Sequence, residues 1–196
     1  MKYEKLIFAS RNRGKIAEIT EMLAPLGIKV VSALEVNLPE VDETGATFEE
    51  NAALKALSGA KITGVPCLAD DSGLCVNALN GRPGVYSARY APNRNFDKGM
   101  DKLLAEIAQT GSADRSAYFA CVLVLGFPDG TYKHFEGRCN GAIAKSKIGS
   151  GGFGFDPLFI PEGYNKTFAE LGAEIKNKIS HRGNALQKFL HWLREQ

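Results

Sequence analysis

Hydrophobic positions along this chain change their spacing several times, and each change predicts an element. Leu6 to Ala9 is a short apolar run that reads as a buried strand, followed by the polar turn Ser10-Arg11-Asn12-Arg13-Gly14. From Lys15, the apolar residues Ile16, Ile19, Met22, Leu23 and Leu26 recur at helical spacing until Gly27 stops them. Lys29 to Ser32 predicts a second strand. A strand, loop, helix and strand in that order is the opening of an α/β fold. Thr47, with Glu50 three residues on, forms a capping box for a helix that runs to about Ile62, with Ala52, Ala53, Ala56, Leu57 and Ala60 on or near its packed face. Gly64 and Pro66 end it. Cys67 to Ala69 is a strand that delivers Asp70-Asp71-Ser72-Gly73, and Leu74 to Leu79 continues as strand or turn.

The second half repeats the alternation. Asn80 to Gly84 carries turn chemistry, and Asp97 to Thr110 is helical with Leu103, Leu104 and Ile107 inward. Ala117 to Phe127 is a strongly apolar strand. Pro128-Asp129-Gly130 turns it, and Thr131 to Gly137 alternates like the returning strand of a hairpin. Gly149 to Gly154 is dense in glycine. Phe155 to Ile160 reads as a strand, Phe168 to Leu171 as a short helical or turn segment, and Asn184 to Arg194 as a last helix. The expected fold is α/β, two-lobed, with a long twisted mixed β-sheet flanked by helices and an active site in the cleft between the lobes. The hairpin rules against an all-parallel sheet. Residues 1–196 are read as a single domain of two lobes.

Composition narrows the function classes. The chain has 196 residues, 44% of them hydrophobic, which is enough for a substantial core. With 24 basic and 22 acidic residues the net charge is +2, so no global field recruits nucleic acid or a membrane surface. Any phosphate has to be held by a local pocket. No apolar run approaches the ~20 residues that cross a bilayer, and the chain opens on a strand rather than a signal peptide. Cys67, Cys75, Cys121 and Cys139 contain no C-x-x-C pair, which points to reduced core thiols in a cytoplasmic protein. Three histidines give little scope for a His-rich metal site.

Candidate chemistry is spread over six segments. Ser10-Arg11-Asn12-Arg13-Gly14-Lys15 joins a strand to a helix, where backbone N–H groups attract anions; it lacks the Walker A spacing. Glu40, Asp42 and Glu43 share one acidic loop. Asp70 and Asp71 are adjacent at the end of an apolar strand, where two carboxylates invite a hard cation such as Mg²⁺. The alternative is that both aspartates serve turns. Lys55, on the helix after the acidic loop, can reach a phosphate or a carboxylate. Gly149 to Pro157 offers Phe153 and Phe155 as faces for a base to stack on, with Asp156 either accepting from a base or bracing the loop. Lys176 through His181 and Arg182 adds donors before the last helix.

Taken together, the segments around Ser10–Lys15, Glu43-Thr44-Gly45, Phe48-Glu49-Glu50-Asn51-Ala52, Ala69–Leu74, Gly84–Arg89, Gly151–Pro157 and Lys176 to Arg182 resemble the inosine triphosphate pyrophosphatase family, in order and over nearly the whole chain. The resemblance implies Mg²⁺-dependent hydrolysis of ITP, dITP and XTP to the monophosphate and pyrophosphate, usually by a homodimer. Carried across residue by residue, it gives Ser10, Arg11, Asn12, Arg13, Gly14 and Lys15 to the triphosphate. Asp71 looks like the catalytic aspartate and metal ligand, with Glu43 as its partner ligand and Lys55 beside it. Ser72 is similar to a substrate-contacting serine. Phe153, Gly154, Phe155 and Asp156 look like the base pocket, with Lys176, His181 and Arg182 as its remaining contacts. Two departures stand out: Ser10-Arg11 where relatives often carry Thr-Gly, and Phe155 where Tyr is common.

Two other readings remain open on sequence alone. One is a pyrophosphatase for dTTP and UTP on a similar scaffold, which the Phe-Gly-Phe-Asp-Pro and Ser-His-Arg segments oppose. The other is a non-enzymatic nucleotide or nucleic-acid binding module, which would leave Asp70 and Asp71 without a task and lacks the basic clustering such modules need.

Overall fold

Parallel strands cannot be joined by a tight turn, so two of them in succession require a crossover. The chain supplies one at once. In the computed structural model, which describes residues 4–196, β1 (Lys5–Phe8) and β2 (Lys29–Ser32) pair in parallel, with Lys5 opposite Lys29 and Phe8 opposite Ser32. Between them runs α1 (Arg13–Leu23). The first three residues of the expected 1–196 domain lie outside the described residues. Asn12 caps α1 by accepting the Lys15 N–H at 3.1 Å, and Gly27, at φ 71, ends the turn that follows it.

The next helix, α2 (Phe48–Thr63), starts on the expected capping box, with both of its hydrogen bonds formed, and stops at Gly64 in the left-handed region. Its buried face is Asn51, Ala52, Ala53, Ala56, Gly59 and Ala60. Small residues there permit a close approach. A Cβ on Gly59 would lie 2.6 Å from the Cys67 Sγ, and one on Gly126 would lie 2.8 Å from the Ala56 carbonyl carbon. The helix therefore rests directly on the start of β3 (Cys67–Val76) and the end of β4 (Ser116–Gly126).

With β5 (Tyr132–Ile143) and β6 (Phe159–Pro161), the strands make one six-stranded sheet in the order β2-β1-β3-β4-β5-β6. β1 pairs in parallel with β3, and β5 pairs antiparallel with β6, so the sheet is mixed as expected. The chain divides into two compact units. The first holds the residues up to Asp71 together with Cys121–Gly137 and Arg182–Gln196; the second holds Ser72–Ala120 and Arg138–His181. Each has its own core. In the first, Leu6, Phe8, Ile19, Leu23, Leu68, Leu123 and Phe189 cluster on one side of the sheet, and Ala52, Ala56, Ala69, Val122 and Val124 cluster separately. In the second, Leu74, Val76, Leu103, Ile107, Phe119, Phe155, Leu158, Phe159 and Phe168 pack together. A fully buried Leu or Phe contributes roughly 1.5–3 kcal/mol.

Several expected boundaries change, and β5 runs on past Gly137 to Ile143. β3 does not pause at Ala69 but runs extended through Asp70, Asp71, Ser72 and Gly73. Phe155 to Ile160 is not one strand. Asp156–Leu158 is a short 3-10 turn with Pro157 in its first turn, which leaves only Phe159–Pro161 to β6. The short segment expected at Phe168 to Leu171 is the first turn of α4 (Phe168–Ile179), which continues past a break at Gly172 (φ 80). The helix α3 (Phe96–Gln109) matches expectation, whereas α5 (His181–Arg194) begins earlier than Asn184. Among the described residues, no helix is long and apolar enough to cross a membrane.

Candidate active site

Neighbouring residues on a strand point to opposite faces of the sheet. That one fact separates the two adjacent aspartates of β3. Asp70 follows Leu68 onto the side packed by α1 and α5, and Asp71 follows Ala69 onto the side packed by α2. Both are buried, at 1% and 5% exposure.

Asp70 is gripped by cations. Arg182, at the start of α5, donates from Nη2 at 2.9 Å and Nε at 3.2 Å to Asp70 Oδ2, and Lys15, in the first turn of α1, places its Nζ 3.1 Å from the same oxygen. The third guanidinium nitrogen, Nη1, donates to Glu18, one turn along α1 from Lys15. Burial alone would raise the Asp70 pKa, but Lys15, Arg182 and Lys55 outweigh it and hold the carboxyl well below the usual range. Arg182 is pushed the other way: burial works against its charge, and Asp70 and Glu18 raise its pKa above the ordinary arginine value. Every donor to Asp70 falls on Oδ2. The buried Oδ1 has no hydrogen-bond partner among the described residues.

Asp71 has a different environment. Asn51 of α2 donates from Nδ2 to Asp71 Oδ2 at 3.1 Å. Lys55, one turn further on, has its Nζ 3.8 Å from Asp71 Oδ1 and donates to Glu43 Oε1 at 2.7 Å. Burial raises the Asp71 pKa, and the charges of Glu43 and Asp70 add to it against the pull of Lys15 and Lys55. Lys55 is raised as well: burial opposes its charge, and Asp71, Asp70 and Glu43 overcome that. Its ammonium is a tethered cation between the two carboxylates expected to hold a metal.

These groups suit a hard divalent cation. Glu43 and Asp71 offer oxygen only, and the Lys55 ammonium already bridges them, while Asp70, on the other face of β3, keeps one buried oxygen without a donor among the described residues. A separate and largely exposed trio, Glu49, His134 and Glu136, offers ligand atoms within 4.8 Å of one another and includes none of the expected site residues.

In the first loop, Lys15 reaches the carboxylate cluster while its neighbours are occupied locally. The Ser10 hydroxyl accepts the Asn12 N–H at 3.3 Å, and the Asn12 side chain caps α1. Arg11 is exposed on this loop. Its Nη2 donates to the Leu38 carbonyl at 2.6 Å, tying the loop to the segment before Glu40. Arg13 and Gly14 are the first two residues of α1. Glu18 and Asn51 were not singled out by the sequence reading. Glu18 sits on the buried side of α1, and Asn51 stands inside the Phe48–Ala52 motif.

The second unit receives the residues expected to hold a base, and they are not equally placed. Asp156 accepts the Phe153 N–H at 2.8 Å and the Lys176 Nζ at 2.5 Å, and that ammonium lies 4.4 Å from the centre of the Phe153 ring. Asp156 thus braces the glycine-rich loop. Gly152 (φ 70) and Gly154 (φ 66) take the left-handed conformation this loop needs. Phe155 does not offer a stacking face. It is a core residue, edge-on to Phe96 at 5.6 Å and to Tyr90 at 6.4 Å. His181 is buried and stacks on Phe119 at 4.7 Å. Ser72 is half-buried on β3. Arg182 belongs to the first unit, and its guanidinium is committed to Asp70 and Glu18 rather than offered to a base.

Comparison with known proteins agrees with this arrangement of motifs. The model of the Ham1 family matches residues 6–192. A dITP/XTP pyrophosphatase of Streptomyces coelicolor is 48% identical over 195 residues, covering 97% of this chain and 98% of that protein. One of Gluconobacter oxydans is 46% identical over 188 residues, covering 95% and 89%. Among solved structures, a HAM1 protein from Coxiella burnetii superposes with a TM-score of 0.90 at 42% identity, covering 98% of this chain and 99% of its own. The Ham1 protein of Staphylococcus aureus gives 0.85 at 41% identity, covering 97% and 98%. With a family match over nearly its whole length and relatives approaching half identity, this chain belongs to the Ham1 family.

Proposed function

We propose that this chain hydrolyses purine nucleoside triphosphates carrying hypoxanthine or xanthine where adenine or guanine belongs, namely ITP, dITP and XTP, to the monophosphate and pyrophosphate. The observation that carries the reading is the convergence of Glu43 and Asp71 on the Lys55 ammonium, with Lys15 on Asp70 at the first turn of α1. Carboxylates and lysines at the end of a strand-to-helix loop are what a metal-bound triphosphate requires. The dITP/XTP pyrophosphatase activity of the relatives from Streptomyces coelicolor and Gluconobacter oxydans supports the same reading.

In the proposed reaction, water attacks the α-phosphorus, the bond to the bridging oxygen breaks, and pyrophosphate leaves. Asp71 orients that water and takes its proton. Glu43 and Asp71 would hold Mg²⁺, with Asp70 behind them. When bound, the ion supplies charge neutralisation on the phosphate oxygens. Lys15 and Lys55 hold phosphate oxygens and offset the charge that builds on the leaving group. Ser10 to Gly14 shape the loop that receives the triphosphate, and Ser72 contacts it. Base recognition is assigned to Phe153, Gly154 and His181, on a loop that Asp156 and Lys176 hold in place. N–H donors there would pair with a 6-oxo group and face the amino group of adenine donor to donor. One unpaired buried polar group costs ~1–3 kcal/mol, so two give ~10²-fold discrimination or more. A homodimer working in the cytoplasm belongs to the same reading.

The test is pyrophosphate release from ITP, XTP, dITP, ATP, GTP and dTTP, with and without Mg²⁺, for the native chain and for Asp71→Asn. Preference for the first three, dependence on Mg²⁺, and a kcat at least ~10²-fold lower in the folded variant are expected. Equal kcat/KM for ATP and ITP would remove the base assignment. Near-normal turnover by Asp71→Asn would remove the catalytic one.

A further inference from the structure

Asn51 is completely buried, yet it is a polar side chain at the N-terminal end of a helix face otherwise made of alanine and glycine. A buried amide there is costly unless each of its ends is bonded. Both ends are. Nδ2 donates to Asp71 Oδ2 at 3.1 Å, and Oδ1 accepts the Gly45 N–H at 2.8 Å. Gly45 closes the acidic loop that carries Glu43. A Cβ there would lie 2.6 Å from Glu50 Cβ and 2.8 Å from Asn51 Oδ1, so the loop can come this close only with glycine at that position.

The geometry points to Asn51 as a positioning residue: it fixes the acidic loop and Asp71 to one another, so that Glu43 and Asp71 meet on a single divalent cation. This rests on the reading of those two carboxylates as metal ligands. The side-chain chemistry is restrictive. One end must donate to a carboxylate and the other must accept from a backbone N–H, so Asp fails at the first, Leu at both, and Ser is too short to span them. Gln carries the same groups one methylene further out, away from the two distances that the Asn51 amide meets. Lys55, one turn along α2, bridges the same two carboxylates with its ammonium. The helix therefore holds the pair from two points: the amide fixes direction, and the lysine balances charge. Partners that orient metal ligands typically change metal affinity 10–100-fold when they are lost.

The experiment measures Mn²⁺ binding to the whole chain by electron paramagnetic resonance of the free ion, without nucleotide. It is done in a His134→Ala background, so that the exposed Glu49–His134–Glu136 trio does not contribute. Asn51→Leu is expected to bind Mn²⁺ at least ~10-fold more weakly. In turnover assays its kcat should fall while its KM for ITP at saturating metal moves less than about threefold, because Asn51 touches the ligands and not the nucleotide. If Asn51→Leu does not fold, Asn51→Ser, which leaves space for water, is measured in the same way. Mn²⁺ affinity unchanged in the folded variant would overturn the inference while leaving the proposed function intact. No Mn²⁺ binding by the unsubstituted His134→Ala chain would instead overturn the metal reading, and this inference with it.

Discussion

Both compact units bury charge, but they do it differently. In the second, Asp156 and Lys176 form a closed pair: one carboxylate, one ammonium at 2.5 Å, a backbone N–H on the same carboxylate oxygen and an aromatic ring under the ammonium. In the first, the carboxylates of Glu18, Glu43, Asp70 and Asp71 share the cationic heads of Lys15, Lys55 and Arg182, and among the described residues one buried oxygen of Asp70 has no donor. A closed pair holds a loop in place. An arrangement that shares its cations and leaves an oxygen bare suits an additional cation. Burial of ions is costly in either case, and the imbalance, not the burial, distinguishes a site from a brace.

The largest effect that would break this contrast lies at Arg182. It bonds both Asp70 and Glu18 directly, and it is buried at 1% exposure. Arg182→Leu keeps much of the volume but removes the guanidinium from both carboxylates. Removing one member of a buried ionic group costs roughly 3–5 kcal/mol. Urea unfolding should show a loss of that size, with an unchanged m-value if folding remains two-state. A loss below about 1 kcal/mol, the scale of an exposed pair, would mean that the first unit is no more dependent on its charges than a surface is.

Much of the fold was legible in the sequence because hydrophobic spacing and end signals agreed. α1 stopped at a turn ended by Gly27, α2 began on Thr47 and Glu50, and the apolar run of β4 turned at Pro128 to Gly130. The misses have local causes. Gly172 reads as a stop, yet at φ 80 it only kinks α4. Phe155 looks like a strand residue or a stacking face because an exposed ring and a core ring are the same letter, and only the packing of Tyr90 and Phe96 against it decides. The charged residues were legible as a set, but their partners were not. Arg182 and Glu18 are 164 positions apart, and Asn51 and Asp71 are 20 apart. Asp70 and Asp71 could not be told apart from their letters. They separate once β3 is known to run extended through them and so to point one to each face.

A smaller effect sharpens the same contrast from the second unit. In Lys176→Met the Asp156 carboxylate loses its ammonium but keeps the Phe153 N–H, so a loss of about 1–3 kcal/mol is expected. Adding Asp156→Asn removes the second charge and keeps an oxygen for that N–H. If the pair is closed, the double variant should recover about half of the single variant's loss, because two well-packed neutral groups can replace a buried pair at little cost. The matching double in the first unit, Arg182→Met with Asp70→Asn, should recover less, since Glu18 and Lys15 are both left without the partner they had. Equal recovery in the two units would show that the surplus of carboxylate in the first is already neutralised within it, and the argument for an additional cation there would lose its electrostatic basis.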